Sequence, residues 1–349
     1  MCNHLESVNP VLSPTQRPTP RSGWVKWLVV AVTASVGLWL LWGVLRANAA
    51  ALSDLKGKGP DWRFVCCALA CYVIAQVVPM ARWCMLARAA GVPIRASEAF
   101  AMGVAGEAGN LVMPGANGGD AIKLGLVIRS GLPVAKLIVS SLADRITGLV
   151  GLLCIGLGAG LWQWSHASSA LRTVTLVVGG LLGVGLVGLA LATGQQVLGW
   201  ALARCPRWPW VISLVGQITA TMTAYRTKPG TLLAAVAISM LSQSLSLASL
   251  YCSGVAISRA TAPSLASTLV GGPLVFISMA VPLPFGAIGV VEEMGEQLFS
   301  ALGFAGGGLA MLAYRCCHTL AVAVLIACYW IARLLMRTIY RGVSGGGVS

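Results

Sequence analysis

Six stretches of this chain stay apolar for about 20 residues, the length that crosses a bilayer as a helix. They are Trp24–Leu45, Trp62–Ala81, Leu137–Trp162, Thr173–Thr193, Thr231–Tyr251 and Leu309–Leu335. Two further stretches break the pattern. Ala99–Met113 is short, rich in Gly and carries Glu107, and Leu265–Val281 contains Gly271-Gly272-Pro273. Each runs into a Pro/Gly turn and then a second short helical stretch. Irregular backbone at membrane depth is tolerated only inside protein or beside a cavity, so such segments dip in and return or form discontinuous helices. Trp208–Tyr225 mixes Trp with Ser and Thr and predicts an interfacial elbow helix. The expected fold class is an all-α membrane protein with about six full spans and two re-entrant or broken hairpins, eight spans if the hairpins cross.

Composition agrees with the pattern. Of 349 residues, 57% are hydrophobic and 10% are charged, against about 25% charged in a soluble domain. One membrane domain over residues 23–338 is the simplest organisation, with halves at about 62–195 and 231–335 and the elbow at 208–226. Residues 1–22 are polar, contain Pro10, Pro14, Pro18 and Pro20, and predict a disordered cytoplasmic tail; 339–349 predict a flexible one. Ala47-Asn48-Ala49 resembles a signal-peptidase site, but the preceding apolar run is long for a signal peptide and a retained span is preferred.

The net charge of +14 would suggest nucleic acid in a soluble protein. Here the Lys and Arg lie mostly between apolar runs, so topology and anionic headgroups explain them and no nucleic-acid partner is expected. With six crossings and a cytoplasmic N-terminus, 16 of the 24 cations face the cytoplasm, Arg82 and Lys123 among them. Six fall outside, and Arg145 and Arg315 sit in apolar surroundings. That bias predicts both termini inside a bacterial inner membrane. The eleven Cys include no CxxC pair and read as small apolar filler. No metal site and no cofactor are expected.

Shifting the chain by 170 residues aligns two regions without a gap. Pro114 meets Pro284, Gly119 meets Gly289, Gly125 meets Gly295, and Arg145 meets Arg315; Ser130, Leu132, Leu142 and Ala143 also meet identical residues. A composition biased toward Gly, Leu and Ala supplies some of these, and two unrelated hairpins of shared bias remain the alternative. The Pro-to-Arg spacing carries the signal, because both residues are rare in such segments. Three spans separate the copies, so the second would be inverted, as in many transporters.

Three polar constellations are candidate binding sites. The first is Asn110, Pro114, Gly118, Gly119, Asp120 and Lys123: a Pro ends one helix, glycines turn, and a new helix N-terminus offers N–H groups to a phosphate. An ordinary capped loop is the alternative. The second is Pro284, Gly286, Gly289, Glu292, Glu293 and Glu296, where Glu292 and Glu296 share a helix face and could pair with Arg315 or take a proton or cation; a solvated outer face is the alternative. The third is Asp144 and Arg145 in the third span with Arg315 and His318 in the last. An ionisable residue in a span costs about 2.5–3.5 kcal/mol on insertion scales. Arg145 could reach Asp120, Arg315 the Glu cluster, or both could hold lipid phosphate; snorkelling to an interface competes. For His318, proton coupling and hydrogen-bonded packing both remain open.

Gly183-x-Gly185-x-x-Gly188 matches a dinucleotide fingerprint but follows no strand, and Gly156-x-x-x-Gly160 likewise reads as helix packing. With His4, His166 and His318 as the whole histidine complement, a Ser/His/Asp hydrolase has little support.

The chain resembles the lysylphosphatidylglycerol synthase transmembrane-region family of flippase-like membrane proteins. The resemblance rests on Arg82, on Asn110, Pro114 and Gly118-Gly119-Asp120, on Asp144-Arg145-x-x-Gly148-Leu149, and on Pro282-x-Pro284-x-Gly286-x-x-Gly289-Val290-x-Glu292. It covers about residues 25–335. Phe285-Gly286-Ala287 departs from the family's usual run of glycines, and Val291 stands where an Arg is common. The resemblance implies movement of polar or anionic lipids between leaflets: phospholipids, aminoacyl-phospholipids, glycolipids or hopanoid-type lipids. The soluble aminoacyl-transferase domain of bifunctional members has no counterpart in these residues, so a lipid transporter is expected rather than an enzyme. Membrane lipids with anionic headgroups are the expected partners, and a homo-oligomer stays open. A membrane enzyme or accessory subunit of lipid or polyprenol metabolism, and a small-solute secondary transporter, are the alternatives.

Overall fold

A computed structural model of the protein describes residues 23–112, 118–130, 132–192, 225, 227–257, 262–279 and 287–345. The described residues form eleven helices and no strand. In chain order they are α1 Gly23–Ala47, α2 Ala49–Lys58, α3 Trp62–Ala89, α4 Ala96–Val112, α5 Gly118–Arg129, α6 Val134–Trp162, α7 Ser169–Ala192, α8 Pro229–Ile257, α9 Leu265–Ser278, α10 Val290–Ala301 and α11 Gly307–Gly345. The 1–22 tail and the elbow expected at 208–226, apart from Tyr225, lie outside the described residues, as do Pro114, Pro284 and Gly286.

Five helices contain an apolar stretch long enough to cross a membrane: Trp62–Ala89, Val134–Trp162, Ser169–Val187, Pro229–Ile257 and Gly307–Ala332. A sixth candidate is the pair α1 and α2, bent by 69°. The bend falls at Asn48, inside the A-x-A sequence. This is a membrane-spanning protein. Its exposed surface is correspondingly apolar. Leu38, Trp39, Leu176, Val184 and Leu233 are exposed, and Trp62 and Trp162 stand outward at the ends of α3 and α6, where amphipathic rings settle at the membrane–water boundary.

The interrupted stretches are short helices. At about 1.5 Å per residue, the 14 residues of α9 span about 21 Å, less than the roughly 30 Å hydrocarbon core. The 17 residues of α4 reach about 26 Å and the 12 of α5 about 18 Å. α5 runs back along α4: Gly109 lies against Gly119 and Ile122, and Gly106 against Lys123. Glycine permits this approach. A Cβ on Gly119 would stand 2.3 Å from the Gly106 carbonyl oxygen, and one on Gly109 2.5 Å from Ile122. α10 and α11 close in the same way, since a Cβ on Gly307 would lie 2.4 Å from the Gly295 carbonyl.

At the centre, α3 packs along α8, and α6 and α11 pack against both. Leu86, Leu247 and Leu250 are buried in this seam. Lipid tails match leucine in polarity, so association rests on close packing and interhelical hydrogen bonds. α8 supplies those bonds from Ser239, Ser246, Ser249 and Ser253, which with Ser242 lie alternately three and four residues apart on one face. Ser249 Oγ donates to the Ala68 carbonyl of α3 at 2.8 Å. Gly151 of α6 meets Ser239, Gly156 meets Pro273 of α9, and Gly160 meets Thr175 of α7, so the Gly156/Gly160 pair is helix packing. Gly183 and Gly185 lie within α7, with no strand before them among the described residues, which removes the dinucleotide match. The nine described cysteines are free thiols.

Candidate functional site: buried charges around the α4–α5 hairpin

The polar candidates fall into distinct groups. Asp144 and Arg145 are neighbours on α6 and point apart, as adjacent helical residues must. Asp144 turns inward and accepts from Arg82 Nε of α3 at 2.7 Å. Arg82 Nη1 also donates to Ser239 Oγ of α8, so one guanidinium ties three helices. Arg82 is 4% exposed. The charge count assigned it to the cytoplasmic surface; instead α3 continues to Ala89, and the cation is folded into the core because a carboxylate and a hydroxyl satisfy it there. Nearby, Tyr225 Oη donates to the Leu86 carbonyl at 2.9 Å. Burial, and after it the Asp144 carboxylate, raises the Tyr225 pKa above its ordinary value, keeping the phenol neutral and able to donate.

Arg145 takes the other direction. It is exposed and lines a cavity of about 240 Å³ together with Lys123 of α5. Trp83, Leu124, Val127, Leu137, Ile138 and Leu142 make most of the remaining wall. Two cations thus converge on an otherwise apolar hollow between α3, α5 and α6. The side chain of Asp120 lies outside the described residues.

Helix N-termini were expected to offer N–H groups, and several of these groups meet acceptors within the protein. Gly119 N donates to Asn110 Oδ1 at 2.8 Å, so Asn110 caps the start of α5 from α4. Gly289 N donates to Glu292 Oε2 at 2.7 Å. Glu296 caps α11: its oxygens accept from Gly306 N at 3.3 Å and Gly308 N at 2.9 Å. Glu296 Oε2 also accepts from Asn48 Nδ2 at 3.1 Å, fastening the α1–α2 bend to the same point. In a medium without water an orphan N–H costs several kcal/mol, so the protein fills these positions itself. Glu293 faces outward and accepts from Gln297 at 2.7 Å.

The second half contains a deeper charge cluster. Glu292 of α10 is fully buried, and Arg315 Nε of α11 lies 2.5 Å from its Oε1. The contact is not aligned as a hydrogen bond and acts as a Coulombic pair. The counter-charge to Glu292 therefore comes from α11, although Val291 replaces the arginine common beside it. One turn on from Arg315, His318 Nε2 lies 3.9 Å from Glu107 Oε2 of α4. His318 stacks on Tyr72 of α3, with ring centroids 5.2 Å apart, and Tyr72 meets Tyr314 edge-on at 5.0 Å. Gln76 Nε2 donates to Tyr72 Oη at 2.8 Å.

The scan against family models matches residues 26–326 to the lysylphosphatidylglycerol synthase TM region. The chain belongs to that family. No curated protein and no solved structure matches it. In this member of the lysylphosphatidylglycerol synthase TM family, the Asp144-Arg145 motif ties the long helices α6 and α3 through Arg82, and the Gly289…Glu292 motif ties the short helix α10 to the long α11 through Arg315. Sequence reasoning assigned no role to Glu107, Tyr72, Gln76, Asn48 or the serine stripe of α8. Glu107 was visible as a lone carboxylate in an apolar helix, and the stripe as a three–four spacing. Tyr72, Gln76 and Asn48 carried no comparable signal, because ordinary polar residues in apolar runs show their partners only in three dimensions.

Proposed function

We propose that the protein is a lipid transporter, not an enzyme, which carries an anionic polar lipid between the leaflets of a bacterial inner membrane. The observation that carries this reading is the cavity holding Lys123 and Arg145 on an apolar wall. An amphiphile has that chemistry: a phosphate-bearing head for the cations and chains for the hydrocarbon. The cavity is smaller than the roughly 300–1,000 Å³ that encloses a drug-sized ligand, so it takes a headgroup while the tails remain in lipid. Arg145 can grip a phosphate bidentately and Lys123 adds a point charge.

The helix order supports an inverted-repeat scaffold. The 170-residue shift carries the start of α3 to within three residues of α8, α4 to within one of α9, α5 to within two of α10, and α6 to within three of α11. Exchanging these partners leaves the pattern of packed pairs unchanged: α3 with α6 answers α8 with α11, and α4 with α11 answers α9 with α6. In this reading α4–α5 and α9–α10 are re-entrant hairpins, both termini are cytoplasmic, and rocking of the halves alternates access to the cavity.

The test is leaflet-selective quenching of a fluorescent anionic phospholipid in proteoliposomes. Wild type should move the lipid, and Arg145→Ala should slow it tenfold or more, about 1.4 kcal/mol of lost interaction. Equal rates for the two would remove the site assignment. A chemically altered lipid found by mass spectrometry would favour an enzyme instead.

A further inference from the structure

Cysteines gather where α3, α8 and α11 meet. Cys252 of α8 lies 3.6 Å from Cys67 of α3, sulfur to sulfur. Cys67 also hydrogen-bonds Cys71, one turn on, and Cys317 of α11 packs with Cys252. We propose that Cys67 and Cys252 are an oxidisable pair, which a peroxide converts to a disulfide that locks α3 to α8 and arrests lipid movement; the arrest rests on the transport reading above, the bond itself does not.

The sulfur contact belongs to a register between two helices. α3 and α8 run antiparallel here. Asp61 N donates to the Ala256 carbonyl at 2.9 Å, and Ser249 Oγ donates to the Ala68 carbonyl at 2.8 Å. The two cysteines stand between these bonds, so the helices hold them opposite each other. Ala68 is fully buried, and its neighbours across the seam, Ser249 and Cys252, are small, which lets the backbones approach. A disulfide needs its sulfurs about 2.05 Å apart. They must close a further ~1.5 Å, which lies within the travel of a χ1 rotation.

Position along the membrane favours the reaction. Cys67 is five residues after the start of α3 and Cys252 five before the end of α8. These helices have 28 and 29 residues, about 42 and 44 Å at 1.5 Å per residue, against a hydrocarbon core of about 30 Å. Their ends therefore reach beyond the core, and the pair lies near the boundary, where Trp62 stands outward and a small polar oxidant can arrive. With both termini cytoplasmic, this is the periplasmic end, and the periplasm is a compartment where disulfides form and persist. Cys67 is exposed and Cys252 buried, which assigns the two steps. Cys67 attacks one peroxide oxygen; the O–O bond breaks, and the departing hydroxide leaves as water with the thiol proton, giving a sulfenic acid. Cys252 then attacks the Cys67 sulfur; the S–S bond forms, the S–O bond breaks, and a second water leaves with the Cys252 proton. Two thiols are oxidised and one peroxide is reduced to two waters.

The bond joins the halves. α3 and α8 are partners under the 170-residue shift, one from each half. The hydrogen bonds between them can break and re-form as the halves rock, whereas a covalent bond cannot.

Two measurements on the full-length protein test this, with hydrogen peroxide as the probe. The first is mass spectrometry of peptides after oxidation in lipid nanodiscs. A Cys67–Cys252 linked peptide from monomeric protein, lost on reduction, supports the site; Cys66→Ser should retain it. Oxidation that leaves these two thiols unlinked, or links them only to other cysteines or between copies, overturns it. The second is the fluorescent phospholipid assay before and after oxidation. Wild-type movement should slow tenfold or more and recover with dithiothreitol, while Cys67→Ser and Cys252→Ser should ignore the peroxide. Should one variant fail to fold, the other decides. A linked wild type that still moves lipid at the reduced rate overturns the arrest. A reduced wild type that moves no lipid overturns the transport reading, and the linked peptide then decides the oxidisable pair alone.

Discussion

Arg145 and Arg315 occupy equivalent places, 170 residues apart and 31 residues after equivalent prolines, yet the structure treats them oppositely. Arg315 packs against the buried Glu292. Arg145 is exposed at a cavity. The difference lies in their neighbours. The residue equivalent to Glu292 is Ile122 and the one equivalent to Arg82 is Cys252. In the first half the carboxylate beside the arginine, Asp144, is taken by Arg82 of α3, and Arg145 lines the cavity of about 240 Å³. In the second half a cysteine stands at the position equivalent to Arg82, and Arg315 pairs with Glu292 of the short helix α10. Two matching positions in the chain thus present one arginine to a carboxylate inside the fold and the other to a cavity.

The sharpest way to break this comparison is Glu292→Ala. It removes the buried carboxylate that faces Arg315 and should cost about 3–5 kcal/mol, as removal of one partner of a buried pair does, read as a fall in thermal stability by fluorescence-detected size exclusion. Replacing both partners by apolar residues, Glu292→Leu with Arg315→Met, should restore most of the loss; no restoration would mean that Glu292 matters mainly as the cap on Gly289. Next come the paired glycines. Gly289→Ala places a Cβ at positive φ and 1.7 Å from the Gly37 carbonyl, and Gly119→Ala places one 2.3 Å from the Gly106 carbonyl. Both should destabilise by about 2 kcal/mol or more, Gly289→Ala the more because it adds backbone strain.

Arg145→Ala should do the reverse of Glu292→Ala. Stability should stay within about 0.5 kcal/mol, as for an exposed substitution, while lipid movement falls. A large loss of stability would erase the distinction between the two arginines. The smallest effect expected is Ser249→Ala, which removes one bond across the α3–α8 seam and should cost about 0.6 kcal/mol, the average for interhelical hydrogen bonds in membranes. A double-mutant cycle with Ser239→Ala should then be additive within about 0.5 kcal/mol, because the two serines bond different partners ten residues apart.

The amino-acid sequence by itself determined the class of this protein. Runs of 20 apolar residues leave backbone groups no partner except their own helix, so spans such as 62–89, 134–162 and 307–332 were legible from hydropathy alone. Pro114 and Pro282-x-Pro284 forecast short helices, because Pro removes a donor, and the pieces α4, α5, α9 and α10 appear on either side of them, whereas Gly271-Gly272-Pro273 lies within the unbroken α9. Only the tertiary structure decided which charge meets which. Asp144 and Arg82 are 62 residues apart, Glu107 and His318 are 211 apart, and nothing local selects those partners. The reason is physical: a span's cost of holding a charge depends on what the neighbouring helices bring to it. The Arg82–Asp144 and Arg315–Glu292 pairs are decided in that way.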